Sequence, residues 1–218
     1  MKKHIAAALI AALLGGTATA QTSDQLFANA MAAHKSGQLS EAAATFRSLA
    51  EGVHGDAQYN LAVLYYNGEG VLQSDRSAYY WAWMARFYGI ADASVIVDLL
   101  APKLTNEAKF ETADKLIEDL ELRIERGDLQ AMLGIARVYE ELAEEPDVEA
   151  AYTWRIIAAA LGANGASLLR DATALMLTSE QRMAGQDAAE VLFADWCEKA
   201  GADAPACHGS LVDKSSDQ

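Results

Sequence analysis

The side chains with most scope for acid–base chemistry lie on one face of a segment near the middle of the sequence. Asp114, Glu118, Glu121 and Glu125 recur every three or four residues, which places them on one side of a helix. Carboxylates in such a row act as general acid and base only where burial removes them from water. A stripe of like charges is typical of a solvated helix face, and we therefore expect these four to be exposed.

Metal-binding and nucleophile patterns are missing from the sequence. After Ala20 the histidines are His34, His54 and His208, which are far apart and have no second ligand at helical spacing. His54 stands between glycines in a turn, where bonding to the backbone or to water is expected. A second acidic cluster consists of Glu140, Glu141, Glu144, Glu145 and Asp147. Its carboxylates do not follow the sequence order of the ligands in a calcium-binding loop. We expect no catalytic residue, metal or cofactor.

The two cysteines stand ten positions apart near the C-terminus, at Cys197 and Cys207. Their spacing differs from the Cys-x-x-Cys of redox-active pairs. In an exported protein two such cysteines favour a disulfide that fastens the tail to the last helix over two free thiols. Free thiols beside His208 are the alternative, and they would offer a metal site.

The N-terminal segment 1–20 has the three parts of a secretory signal peptide. Lys2 and Lys3 precede the uncharged apolar run 5–14, and small residues before Gln21 mark cleavage after Ala20. The run is too short to span a bilayer, and no later stretch reaches about 18 consecutive apolar residues. We therefore predict a periplasmic or secreted protein that does not insert into the membrane after cleavage.

Acidic residues outnumber basic ones by 31 to 17 in the chain, which gives a net charge of −14. Loss of Lys2 and Lys3 with the signal would leave 15 basic residues and a net charge of −16. A surface of that sign repels phosphate backbones and anionic lipid head groups. Nucleic acid is accordingly excluded as a partner.

Apolar residues recur at three-and-four spacing from end to end, with glycines after many of the periodic runs. The pattern predicts an all-α chain of helix pairs at about 23–52, 56–89, 91–125, 128–162 and 164–199. When the sequence is aligned with itself so that Trp81 lies over Trp154, many other identities coincide, among them Gly89 with Gly162. This indicates an internal duplication near 55–122 and 127–195. Thr105 with Glu107 and Thr178 with Glu180 are expected to form equivalent capping boxes.

Residues 55–93, which include the run from Ala57 to Val71 and the later Ala78, Trp81 and Ala85, resemble the Sel1-like repeat, a relative of the tetratricopeptide repeat. A degenerate copy covers 127–166, and 23–52 is similar to a plain tetratricopeptide hairpin. The resemblance implies a right-handed α-solenoid of about five antiparallel helix pairs over 21–199, followed by a tail at 200–218.

Secreted bacterial proteins of this kind are protein–protein adaptors, so the resemblance implies a non-catalytic periplasmic scaffold that regulates an envelope sensor or an assembly. The aromatic run from Tyr79 to Trp83 is expected to lie mostly in the core between hairpins. The residues that we expect to contact a protein partner are Tyr59, Tyr66, Arg137 and Tyr139. Two alternatives are an envelope enzyme acting on peptidoglycan or β-lactams and a periplasmic chaperone with many clients.

Overall fold

The computed structural model describes residues 21–199 and Cys207, and the regular secondary structure in that part of the chain is helical. The signal expected at 1–20 and most of the tail at 200–218 lie outside the described residues. The helices of the described part are α1 Ser23–Lys35, α2 Leu39–Glu51, α3 Gly55–Asn67, α4 Asp75–Phe87, α5 Ala93–Leu100, α6 Asn106–Glu125, α7 Gln130–Glu141, α8 Val148–Ala160, α9 Ala166–Ala174 and α10 Ser179–Lys199. Most helices adjacent in sequence pack side by side along the chain, and the fold is therefore an all-α solenoid, as the sequence predicted.

Threonine side chains begin the two longest helices, although not in identical ways. Thr178 Oγ1 accepts the Gln181 backbone N–H at 3.2 Å, and Gln181 Oε1 accepts the Thr178 N–H at 3.1 Å. The capping box at Thr178 therefore uses Gln181 and not Glu180. The capping box predicted from Thr105 and Glu107 is wrong. The Thr105 side chain accepts a hydrogen bond from the backbone N–H of Ala108, but the methyl group of Ala108 cannot accept one from the Thr105 N–H.

The loop between α3 and α4 turns at two glycines. Gly68 ends α3 in the left-handed conformation with φ 73°, and Gly70 follows with φ 71°. A β-carbon built at Gly70 would lie 2.2 Å from the carbonyl oxygen of Leu39. The loop thus rests directly on the start of α2, and only glycine satisfies both the dihedral angle and the contact.

Helix pairing is regular in three places and altered in two. Helices α1 and α2, α3 and α4, and α7 and α8 pack as hairpins. In contrast, α5 lies on α4 while α6 packs on α7 and reaches α4, and both α9 and α10 lie on α8. The short α5, with 8 residues, cannot cover the 20 residues of α6. This arrangement places α6 beside α4, and a groove opens between them.

Two clusters of buried side chains form the core, and helix α3 contributes to both. The smaller cluster joins α1, α2 and α3 around Phe46 and Leu61. The larger cluster extends from α3 to α10 and includes Trp83, Met84 and Leu120. Small side chains at the helix contacts are fully buried, and they include Ala57, Ala62, Ala78 and Ala85. Burial of this apolar surface is what stabilises stacked helices that are individually too short to be stable.

Helix starts in the two halves of the chain repeat with a constant offset. Helices α4, α5 and α6 begin at positions 75, 93 and 106, and α8, α9 and α10 begin at positions 148, 166 and 179. The distance along the sequence is the same for all three pairs of starts, and the short helix followed by a long one recurs in the same order. The duplication of 55–122 in 127–195 would account for this spacing and stays a prediction.

Candidate partner-binding groove

The four residues predicted to contact a partner are half-buried. The ammonium group of Lys103 lies 5.2 Å from the ring centre of Tyr66. Arg137 Nε is 3.6 Å from a carboxylate oxygen of Glu141, and burial of the Arg137 guanidinium lowers its pKa. Burial likewise raises the pKa of Tyr139, while Tyr59 packs against the larger core cluster. Their role in partner binding stays a prediction.

A large groove lies between α2, α3, α4 and α6 and has a volume of about 590 Å³. Helix α6 and its C-cap contribute half of the lining residues, and α2, α3 and α4 contribute the rest. The lining side chains are Arg47, Glu51, Tyr65, Arg76, Ser77, Tyr80, Trp81, Glu111, Thr112, Lys115, Asp119, Leu122, Arg123 and Arg126. A volume of this size accommodates several side chains of a bound segment.

Aromatic side chains form the apolar part of this groove. The Tyr65 hydroxyl accepts a hydrogen bond from Arg47 Nη2 at 2.8 Å, and the same guanidinium lies 5.9 Å from the centre of the Tyr65 ring. Tyr80 and Trp81 contact each other edge to face with ring centres 5.0 Å apart. Aromatic and arginine side chains arranged in this way are enriched at protein-binding hot spots.

Tyr80 is held in place by Asp119 and Lys115 of α6. Its hydroxyl donates to Asp119 Oδ2 at 2.6 Å, and Lys115 Nζ pairs with the same oxygen at 2.9 Å. Lys115 Nζ also lies 5.4 Å from the Tyr80 ring centre. Burial raises the pKa of Tyr80 well above its ordinary value, and the hydrogen bond to Asp119 and the negative charge of that carboxylate raise it further.

Positive charge exceeds negative charge in the groove, in contrast to the whole chain. The lining carries five cationic side chains and three carboxylates. Arg76 pairs with Glu111, and Lys115 pairs with Asp119. Within the described part of the chain, the remaining lining cations take part in no ion pair; they are Arg47, Arg123 and Arg126.

Arg123 is the most enclosed of these cations, with only 8% of its surface exposed. Its contacts are long: Nη2 lies 3.5 Å from the carbonyl oxygen of Ala50, and Nη1 lies 3.5 Å from the Tyr88 hydroxyl. The guanidinium carbon is 5.5 Å from the Tyr88 ring centre. A buried guanidinium with weak neutral partners gains from an anion placed in the groove, because a counter-charge offsets its lost hydration.

Sequence reasoning identified neither the groove nor its central residues. Arg123 stands between Glu121 and Glu125 in the sequence, and no local pattern marks it as a buried residue. The aromatic run of α4 was a usable signal, since Tyr80 and Trp81 of that run remain half-buried at the groove. Packing of α6 on α4 is what brings positions 47 and 126 together, and no local pattern encodes it.

The carboxylate stripe of α6 and His54 follow the sequence expectations. The side chains expected to form a solvated stripe are exposed: Asp114, Glu118, Glu121 and Glu125. His54 Nδ1 accepts the backbone N–H of Ala57 at 3.3 Å and so begins α3, whereas His34 Nε2 lies 2.7 Å from Glu69. His208 lies outside the described residues. Residues 21–199 and Cys207 contain no group of three or more histidine, cysteine and carboxylate side chains able to hold a metal ion.

Cys197 and Cys207 are joined by a disulfide bond. Such a bond persists in an oxidising compartment and is rare in reducing ones, so it favours a location outside the cytoplasm. In the same described residues, no helix combines the length and the apolar character needed to cross a bilayer.

Comparison with known proteins yields one solved structure of note. It is a protective antigen present in uropathogenic Escherichia coli strains and displays an SLR fold; it shares 22% sequence identity with this chain at a TM-score of 0.37. The match covers 90% of this chain and 50% of that one, so this chain spans about half the length of that protein's chain. No protein-family model matches the sequence, and no curated protein matches it.

Proposed function

We propose that this protein is a non-catalytic periplasmic scaffold whose groove between α2, α3, α4 and α6 binds an acidic segment of a partner protein. The resemblance of residues 55–93 to the Sel1-like repeat favours a scaffold, since stacked helix pairs present extended surfaces to partners. The N-terminal signal pattern and the disulfide between Cys197 and Cys207 favour the periplasm.

The observation that carries the proposal is the surplus of cations in the groove of an acidic protein. Arg123 is buried without a carboxylate partner among the described residues. Arg47, which lies over the ring of Tyr65, and Arg126 line the same groove. The rest of the surface repels acidic partners at long range because the chain has a net charge of −14. An acidic segment is therefore attracted only where the local sign is reversed, which gives the groove its selectivity.

Site-specific photo-crosslinking in the native periplasm tests the proposal. A photoreactive residue at Leu122, which lines the groove and is 43% exposed, is expected to capture a specific partner. The same residue at Leu72, which is 90% exposed and lies outside the groove, is expected not to capture it.

Reversing the charge of an arginine in the groove then tests whether the captured protein binds there. Arg126→Glu is expected to abolish the crosslink, whereas Arg170→Glu, whose side chain bonds to neighbouring Asp171, serves as the matched control and is expected to retain it. Loss of the crosslink in Tyr66→Ala or Arg137→Ala, but not in Arg126→Glu, would place the binding site at the residues first predicted from sequence. Capture of a broad range of clients would favour a chaperone, and turnover of nitrocefin or muropeptides by the purified protein would favour an enzyme.

A further inference from the structure

A second cleft is lined by other residues of the C-terminal part of α6 and lies between α6, α7, α8 and α10. Its volume is about 190 Å³, which is smaller than the pockets of about 300 Å³ or more that take drug-sized molecules. The cleft shares no lining residue with the partner-binding groove. A space of this size fits one large amino-acid side chain.

The walls of the cleft are apolar and aromatic. Its aliphatic and thioether side chains are Ile124, Met132, Ile157 and Leu192. Two indole rings, those of Trp154 and Trp196, complete the lining. Trp196 also stacks against Phe193 with ring centres 6.1 Å apart, which holds its indole in one orientation. Apolar walls favour the binding of a side chain with a methylene stem. The faces of indole rings attract cations.

The rim of the cleft carries more negative than positive charge. Glu121 and Glu125 are exposed, stand one turn apart on α6, and form no ion pair with any described residue. Asp195 pairs with Lys199 at 2.8 Å, so three carboxylates face one ammonium group. The carboxylates of Glu121 and Glu125 therefore remain without a counter-charge, which a bound cation would supply.

Helix geometry adds to this negative potential. Helix α6 ends at Glu125, so its carbonyl end lies at the rim. The C-terminal end of a helix carries partial negative charge and stabilises nearby cations. Neighbouring carboxylates act in the same direction: the hydrogen bond to Asp195 raises the pKa of Lys199, and the charge of Glu125 contributes to the increase.

We propose that this cleft is a binding site for a long cationic side chain, a lysine or an arginine, presented by a partner protein. The methylene stem lies against Ile124 and Leu192, and the cationic group lies between the indole faces and the carboxylates of Glu121 and Glu125. An uncharged chain of the same length fills the same space but leaves both carboxylates without a counter-charge, and an anionic one is repelled. The site is independent of the acidic segment proposed for the groove.

Nuclear magnetic resonance of the indole N–H groups tests the site directly. The purified protein, labelled with nitrogen-15 at tryptophan, is titrated with Nα-acetyl-lysine amide, with Nα-acetyl-arginine amide and with uncharged Nα-acetyl-norleucine amide. Both cationic probes are expected to shift the Trp154 and Trp196 signals in a saturable manner, and norleucine is expected to bind several-fold more weakly. Trp81, in the groove, and Trp83, in the core, serve as internal controls and should not shift.

A matched pair of variants assigns the effect to the rim carboxylates. The double variant Glu121→Gln with Glu125→Gln is expected to lower affinity for the cationic probes about fivefold, because each lost ion pair near the surface is modest. The double variant Asp114→Asn with Glu118→Gln removes two exposed charges from the same helix outside the cleft and is expected to leave affinity unchanged. Equal binding of norleucine, absence of a saturable shift, or identical behaviour of the two double variants would overturn the proposal.

Discussion

The Tyr80 hydroxyl donates a hydrogen bond of 2.6 Å to Asp119, a residue 39 positions further along the chain. This contact ties α4 to α6 across the floor of the groove, and Lys115 neutralises the same carboxylate from α6. The contact positions the Tyr80 ring beside Trp81. Together with the ion pair between Arg76 and Glu111, this contact joins α4 to α6 at the groove, and it requires that the phenol remains protonated.

Alkaline pH is expected to weaken the fold through Tyr80. Burial, and next the hydrogen bond to Asp119, raise its folded-state pKa above the unfolded value of about 10. A raised pKa means that its contribution to the free energy of unfolding is fully present below about pH 10 and is lost as the pH rises beyond it. Urea unfolding across this pH range should show that the free energy of unfolding falls steeply with pH in the wild type and less steeply in Tyr80→Phe. Identical alkaline slopes in the two proteins would contradict this assignment.

Substitution of Gly70 is expected to be far more damaging than substitution of Gly89. Both glycines have positive φ, 71° and 87°, so alanine at either one costs about 1 to 2 kcal/mol of backbone strain. A β-carbon at Gly89 meets nothing within 4 Å, whereas one at Gly70 overlaps the Leu39 carbonyl. We expect Gly89→Ala to cost about 1 kcal/mol and Gly70→Ala about 3 kcal/mol or more, measured by chemical denaturation. Similar losses for the two variants would show that the loop is free to move away from α2.

Arg155 is expected to stabilise the packing of α8 only while Glu140 is present. Its guanidinium binds both carboxylate oxygens of Glu140 and the hydroxyl of Thr173, and so joins α8 to α7 and α9. Arg155→Ala leaves a carboxylate that is 21% exposed without its partner, and we expect a loss of about 3 kcal/mol. The double variant Arg155→Met with Glu140→Met should be more stable than the single one in urea unfolding, because no unpaired charge remains. A double variant less stable than Arg155→Ala would disprove this account.

Reduction of the bond between Cys197 and Cys207 is expected to lower stability modestly. A disulfide between residues with a sequence separation of 10 lowers the conformational entropy of the unfolded chain. In the chain-entropy account this raises the free energy of unfolding by about 2 to 3 kcal/mol. Thermal unfolding with and without a thiol reductant should show this difference in the wild type. The control is the double variant Cys197→Ser with Cys207→Ser, which should unfold at the same temperature in both conditions.

Local patterns predicted the helices and the buried alanines, and packing over long distances decided the rest. The stripe of Ala57, Leu61 and Tyr65 follows from four-residue spacing, and Gly68 ends α3 because left-handed backbone favours glycine. The pairing of α5 with α4, instead of with α6, depends on relative helix lengths that periodicity does not fix. Arg123 was equally inaccessible to pattern reasoning, since its burial depends on the Ala50 carbonyl 73 positions away.

The position of α4 has a consequence for how the chain unfolds. This helix contacts α3, α5, α6 and α7, whereas a strictly linear array lets each helix touch only its neighbours. Helices α3 to α7 are thereby coupled into one cooperative unit, and the ends of the array are free to open separately. Backbone amides of α9, which packs on α8 and exposes Leu168, should exchange with solvent at a lower opening free energy than those of α4.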